Sequence, residues 1–312
     1  MNTRKPTGSK SRPTTKGAKS TDRPKKTFTK KTVTSDSKPQ RTGIGTKTEK
    51  YAEKAKNYAF KNKERKGDPL PSFNEDEIRL NKYLSNAGIC SRREADVLIQ
   101  TGVVSVNGEI ITELGYKIKR GDKIQYDGET INAETKRYVL LNKPKDFITT
   151  MDDPWGRKTV MGLVYKACKE RIYPVGRLDR DTTGLLLFTN DGDLSKKLTH
   201  PKFEAKKIYQ VETDKPVTSE HMEMLLKGID LEDGRIKCDH VEYVKDTKNS
   251  REVGVEIHSG KNRIVRRMFE KLGYVVVKLD RVQFAGLTKK DLPRGFHRHL
   301  TEKEVAFLKM TK

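Results

Sequence analysis

The stretch Gly176-Arg177-Leu178-Asp179-Arg180-Asp181-Thr182-Thr183-Gly184 gathers two carboxylates into one short turn among arginines and threonines. A carboxylate held in such a turn can serve as a nucleophile or move a proton, and a neighbouring guanidinium can pair with it or with a phosphate. An apolar run, Leu185 to Phe188, follows directly and ends at Asn190-Asp191-Gly192. A short apolar run between turn signals reads as a strand buried on both faces. Asp179 therefore falls on a loop at the mouth of a rigid strand, where functional groups are often displayed. Spacing alone leaves a plainer alternative of equal weight, in which Asp179 and Asp181 only terminate and solubilise that strand.

Other elements must bring partners to this turn. Tyr138 to Lys143 reads as a strand running into a turn at Pro144, and Tyr173-Pro174-Val175 leads into the acidic stretch. Lys206 to Val211 is a further strand carrying Tyr209, and an aromatic in an alternating strand is by itself more often core than catalytic. Asn262 is read as the cap of a helix with Ile264, Val265, Met268, Phe269 and Leu272 on one face and Arg263, Arg266, Arg267, Glu270 and Lys271 on the other. Left to itself this is an ordinary amphipathic helix with a solvated basic side. Val275 to Leu279 is the next strand, and Thr301-Glu302-Lys303-Glu304 is a capping box for a terminal helix. Asp193 is the expected cap of a helix through Leu198, and Thr218 or Ser219 that of one through Lys227.

Gly176-Arg177-Leu178-Asp179-x-Asp181-Thr182-Thr183-Gly184-Leu185 resembles the signature of the RNA pseudouridine synthases, specifically the ribosomal small-subunit synthase A type and its large-subunit relatives of types B, E and F. Three more stretches resemble that family's motifs in the same order. They are Leu141-Asn142-Lys143-Pro144 (with Asp146 where a glycine usually stands), Lys207-Ile208-Tyr209, and Gly260-Lys261-Asn262-Arg263-Ile264-Val265-Arg266-Arg267-Met268. The resemblance implies that Asp179 is the catalytic residue and that Arg177 supports it. It implies that Tyr209 packs against the target base and assists proton removal, and that Leu279 lines the base pocket. Arg266 is implied to pair with Asp179, which spares the acid from being a bare buried anion. Lys143, Lys261, Arg263 and Arg267 are expected to contact RNA.

A smaller module precedes this body. Ile78, Leu80, Tyr83, Leu84 and Ala87 mark an amphipathic helix closed by Gly88, and Ser91-Arg92-Arg93-Glu94 is a capping box opening a second helix that stops at Gly102. Asn107-Gly108 between alternating residues is a hairpin signal, and a further strand pair is expected around Gly121-Asp122. Arg79-Leu80-Asn81-Lys82-Tyr83-Leu84, Ser91-Arg92-Arg93-Glu94-Ala95 and Gly102-Val103-Val104-Ser105-Val106-Asn107-Gly108 resemble the S4 RNA-binding domain. Lys82, Arg92 and Arg93 are its candidate RNA contacts. Two arginines at a helix start oppose the macrodipole, and a bound phosphate would explain them better than solvent does.

The formal charge is +23, and its distribution is uneven: residues 1–70 hold 21 Lys and Arg against 6 Asp and Glu, the remaining 242 hold 45 against 37. The natural partner of such a basic arm is a polyanion. No apolar run approaches the ~20 residues of a spanning helix, so nucleic acid is favoured over membrane. Residues 1–72 are too poor in large aliphatics to offset ordering entropy and are expected to be a disordered, salt-sensitive RNA-affinity tail. The organisation is then 1–72 arm, 77–134 S4-like module and 136–312 synthase body. The fold class is α+β, a small α/β module followed by a mixed, mostly antiparallel sheet. Cys90, Cys168 and Cys238 match no zinc or redox spacing and read as small buried hydrophobes of a reducing cytoplasm. His297 and His299 lack an acidic or cysteine partner in step, so no metal site is expected there.

The implied reaction isomerises uridine to its C-glycoside in ribosomal RNA, without redox change or net hydrolysis, and calls for no cofactor and no metal. Asp179 would act either as a covalent nucleophile or by taking a proton from the ribose. The Lys261 to Arg267 stretch is closer to the B type, whose target is the large subunit. That favours 23S rRNA, free or in an assembly intermediate, as partner of a monomeric enzyme. Two competitors differ in class. Asp179-x-Asp181-x-Thr183 fits the aspartyl-phosphate motif of phosphatases, but that aspartate should follow a long hydrophobic strand, and here the apolar run comes after it. A non-catalytic S4-type assembly factor is the other, and it predicts that Asp179→Ala changes nothing in the cell.

Overall fold

The computed structural model describes residues 77–244 and 250–310, so the basic arm 1–72 lies outside the described residues. The N-terminal module opens with strand β1 (Glu77–Arg79) and two helices, Leu80–Asn86 and Arg92–Gln100, followed by β2 (Val104–Val106), β3 (Glu109–Ile110), β4 (Lys117–Lys119), β5 (Ile124–Tyr126) and β6 (Glu129–Thr130). The Ser91 box forms as expected: its side chain accepts from Glu94 N, and Glu94 accepts from Ser91 N. Asn107 (φ 55°) and Gly108 (φ 92°) both take the left-handed conformations that a tight two-residue hairpin needs. Ile78 departs from expectation. It belongs to β1, paired with Ile118 of β4, rather than to the first helix. The strands flanking Gly121-Asp122 also do not pair with each other, because β5 pairs with β2 and β6. Asp122 explains the turn: its carboxylate accepts from Lys119 N at 2.6 Å and from Asn107 Nδ2 at 3.0 Å, tying the turn to the neighbouring hairpin.

The body contains β7 (Tyr138–Lys143), β8 (Tyr173–Pro174), β9 (Thr183–Thr189), β10 (Lys207–Thr213), β11 (Ile229–Leu231), β12 (Gly234–Ile236), β13 (His240–Tyr243), β14 (Glu252–Ile257), β15 (Val276–Phe284), β16 (Leu287–Thr288) and β17 (His297–His299). A nine-stranded sheet runs β13-β14-β10-β15-β9-β7-β17, with β16 added on β15 and β8 on β9. Its ladders are antiparallel apart from the one between β9 and β15, which is parallel and only two residue pairs long, Asp280 with Thr183 and Arg281 with Gly184. Gly184 is required there. It sits at φ +104°, and a Cβ on it would lie 2.6 Å from Arg281 N, so the seam closes only where a side chain is missing.

β9 is buried on both faces, as its sequence demands. Leu185 and Leu187 pack with Leu194, Leu198 and Phe284, while Leu186 and Phe188 pack with Val139, Leu141 and Leu178. Each such side chain stabilises the fold by roughly 1.5–3 kcal/mol. On the other half of the sheet, helices Ser219–Lys227 and Ile264–Lys271 cover β10 and β14 through Leu225, Val265, Met268 and Phe269. Thr218 caps the first of these and the Thr301 box starts helix Glu302–Met310. Two expected caps are corrected. Asp191, not Asp193, accepts from Leu194 N to start helix Gly192–Thr199, which leaves Asp193 in the first turn. Arg263, not Asn262, precedes Ile264–Lys271, in a left-handed conformation with no side-chain cap bond. No helix among the described residues is long and apolar enough to cross a membrane.

Candidate active site

The loop between β8 and β9 has no ladder of its own, so its carbonyls need donors from elsewhere. Lys143 supplies them. It ends β7, is wholly buried, and its Nζ donates to the carbonyl oxygens of Pro144 (3.1 Å), Asp179 (3.0 Å), Arg180 (3.1 Å) and Thr182 (2.8 Å). The expectation that Lys143 touches RNA is therefore corrected: a strand buried along its whole length leaves its last side chain no route to solvent, and the ammonium serves the loop. Burial pulls its pKa down to about 8, with Asp179, Asp181 and Asp146 holding it up. Asp146 N donates to Arg180 O at 3.0 Å from a left-handed conformation, φ 70°. The turn thus keeps the backbone shape that a glycine would adopt most easily, on a residue type that tolerates it. Thr149 Oγ1 bonds both ways to Leu178, donating to its carbonyl at 2.8 Å and accepting from its N–H at 3.3 Å. The backbone on either side of Asp179 is accordingly fixed by side chains from another segment.

A pocket of about 280 Å³ opens beside this loop, with Asp179 on one wall and Tyr209 of β10 and Leu279 of β15 among its other lining residues. The Asp179 side chain is 34% exposed, and the guanidinium within ion-pair reach of it is that of Arg263, whose Nη1 lies 3.6 Å from Oδ2. Arg263 Nη2 lies 3.6 Å from Glu270 Oε1, so the arginine spans two acids. The pairing expected of Arg266 is corrected accordingly. Arg266 is buried and donates through Nη1 to Val276 O at 2.8 Å and through Nη2 to Asp181 O at 3.4 Å. Its side chain leaves the buried side of the helix and meets main-chain carbonyls first. The left-handed turn at Arg263 carries that residue to the pocket instead. Burial, with Arg263 nearby, lowers the Arg266 pKa from its ordinary value.

Arg177 is exposed and lines the pocket, as does Lys261. Lys261 Nζ donates to Asp233 O at 2.6 Å. Arg267 forks onto the same Asp233 (3.0 and 2.7 Å), which holds that carboxyl down at about 2. Arg267 thus clamps the β11–β12 turn and presents a committed, not a free, cation. Three pocket residues escaped the sequence reading. Lys207 donates to Ala205 O and His258 O, and burial, helped by Arg281, pushes it down to about 8. The period of two along β10 puts Lys207 on the face of Tyr209, a signal that would have found it. Arg281 is buried over the Phe284 ring at 4.5 Å and donates to Leu185 O. Thr182 Oγ1 is buried in the pocket lining without a hydrogen-bond partner.

On the module side, Arg92 and Arg93 are exposed at the start of their helix. Lys82 instead pairs with Asp193 of the body at 2.7 Å. It binds the module to helix Gly192–Thr199, because Asp193 is released from capping by Asp191. Between module and body lies a cleft of about 1210 Å³ whose lining includes Arg79, Arg92, Lys117, Arg171 and Lys196. Thr199 lines both this cleft and the Asp179 pocket, so the two adjoin. The aspartyl-phosphate arrangement is not formed: Asp179 precedes β9 and follows a two-residue strand and a loop.

Known proteins resemble both the module and the body. The family described as RNA pseudouridylate synthase matches residues 137–271, and the S4 domain matches residues 78–124. The chain is 42% identical over 233 residues to the ribosomal large subunit pseudouridine synthase B of Bacillus subtilis (strain 168), covering 74% of this chain and 95% of that one. It is 37% identical over 234 residues to an uncharacterized RNA pseudouridine synthase of Aquifex aeolicus (strain VF5), covering 74% and 94%. A crystal structure of a pseudouridylate synthase superposes with a TM-score of 0.53 at 30% identity, covering 74% of this chain and 99% of that one. A relative at 42% identity, spanned almost end to end, together with the family match over the Asp179-bearing body, settles the assignment: the chain belongs to the RNA pseudouridylate synthase family.

Proposed function

We propose that this enzyme converts a uridine of 23S ribosomal RNA to pseudouridine, with Asp179 as its catalytic residue, and that it works as a cytoplasmic monomer on free rRNA or on an intermediate in assembly of the large subunit. The observation that carries the reading is a pocket lined by Asp179, Tyr209 and Leu279 together. The uridine leaves its stack, at a few kcal/mol for a paired base, and enters between the ring and the leucine. The bond from C1′ to N1 breaks and one from C1′ to C5 forms. N1 gains a proton and C5 loses one, so atoms balance without a co-reactant. Asp179 acts either by attacking the sugar or by taking a ribose proton, while Tyr209 assists the departure of the C5 proton. Arg263, at 3.6 Å, orients the acid. Arg92, Arg177 and Lys261 engage phosphates along the adjoining cleft and pocket, Arg93 does so from the exposed start of its helix, the basic arm adds sequence-independent attraction, and the division at 77–134 and 136–312 separates RNA capture from chemistry.

Tritium release from C5-labelled uridine in rRNA transcripts tests this. Release is expected from a 23S fragment and not from 16S fragments, and Asp179→Asn should abolish it while leaving RNA affinity nearly unchanged. No release from any ribosomal RNA fragment would overturn the proposal, and release from 16S alone would overturn its choice of target RNA.

A further inference from the structure

Trp155 is the chain's one tryptophan, and it is 77% exposed. The loop that carries it is braced by its own side chains. Asp153 accepts from Arg157 N at 2.7 Å and from Arg157 Nη2 at 2.6 Å, and the same guanidinium lies 4.6 Å from the Trp155 ring centroid. The Asp153 side chain is nearly buried, so this small cage is set before any partner arrives. The loop is closed at its base by the bridge between Ile148 and Thr159. Thr149, at the start of the loop, is the residue that bonds both ways to Leu178, next to Asp179. Met151 of the same loop lines the cationic cleft. Six residues of chain reach at most ~20 Å, so Trp155 stands within a few nucleotides of the acid.

Leaving a large aromatic in water forgoes the stabilisation that burial would give, and fixing it there with an arginine adds an ordering cost. Both make sense for a surface that stacks a flat partner, since a preordered ring loses little freedom on binding. We propose that Trp155, backed by Arg157, is a stacking platform for an unpaired base of the RNA substrate flanking the target uridine. This rests on the reading of the chain as an RNA-modifying enzyme. The alternatives, a protein partner or a second copy of this chain, lack the adjoining basic cleft as a reason. Aromatic stacking is sequence-tolerant, so the platform would grip whichever base the fold of the RNA presents.

Because no other tryptophan is present, the native full-length protein reports the contact directly. With a transcript fragment that releases tritium, Trp155 emission should be quenched in step with RNA occupancy measured by filter binding. Trp155→Ala should raise the dissociation constant and KM about tenfold or more, with Trp155→Phe recovering much of the loss and the melting temperature unmoved. Full occupancy without a change in emission, or an unaltered KM for Trp155→Ala, would overturn the platform while tritium release continued. Quenching that follows protein concentration without RNA would assign the ring to self-association and overturn it equally. Absence of tritium release from every fragment would instead count against the parent reading.

Discussion

Lys143 Nζ donates to the main-chain oxygen of Asp179 at 3.0 Å, and to three more carbonyls of the same neighbourhood, from a side chain with no exposure at all. One buried ammonium is therefore a main support of the backbone that carries the acid. Removing it would leave loop carbonyls without donors, at about 1–3 kcal/mol for each that finds no water.

Lys143→Met should accordingly lower turnover by about a hundredfold or more, the scale of a misplacement near 1 Å. RNA affinity should change little, because the side chain meets no solvent. A filter-binding and single-turnover comparison distinguishes the outcomes: weakened binding with normal chemistry would restore Lys143 as an RNA contact.

The same residue sets a pH limb. Its folded pKa, about 8, lies below the ordinary 10.5. The charged form thus dominates below pH 8, and above it an N–H donor to the loop is lost, so the single-turnover rate should fall from about pH 7.5 towards about 9.5. For stability the sign is opposite. A depressed folded pKa means the folded state gains relative stability as pH rises through the window from about 8 to 10.5, and loses it as pH falls back through that window. Lys207 titrates in the same range, so Lys207→Met must retain the alkaline limb; its disappearance in that variant would transfer the limb to Lys207.

Arg263 and Arg266 should part company on mutation. Arg263→Gln loosens the acid's orientation and should reduce turnover about tenfold, with almost no thermal effect since the side chain is 43% exposed. Arg266→Gln deprives Val276 O of a buried donor and should destabilise the fold by about 1–3 kcal/mol. Thermal melts beside single-turnover rates decide the matter. An inactive Arg266→Gln with an unchanged melt and a normal Arg263→Gln would reverse the assignment.

Gly184→Ala should be among the most damaging small substitutions in the chain. The added carbon would crowd Arg281 N at 2.6 Å from a left-handed backbone, and strain and overlap together amount to about 3 kcal/mol or more. A denaturation midpoint within error of wild type would show that the seam opens easily.

What the sequence disclosed was local. β9 declared itself because four consecutive apolar residues can only be satisfied from both sides. The boxes at Ser91 and Thr301 declared themselves because their partners are three residues away. Asp179, Tyr209 and Leu279 were singled out through their own motifs, and the three line one pocket. The charged residues were harder. Lys143 meets carbonyls 36 to 39 positions along the chain, and Lys82 meets an acid 111 away, so nothing in their own surroundings told a clamp from an RNA contact. Arg263 and Arg266 sit three apart on a basic stretch, and which one reached Asp179 depended on a single left-handed turn.

The β9–β15 seam has a wider consequence. The acid enters from one half-sheet and the leucine and tyrosine from the other; the backbone ladder between them is two residue pairs long, and side chains supply the rest, Arg281 on Leu185 O, Thr183 on Asp280 and Phe284 among Leu185 and Leu187. The placement of Asp179 against Tyr209 and Leu279 is therefore a property of that seam rather than of either half-sheet alone. A substitution that loosens this seam should therefore disturb the pocket and the stability of the sheet together.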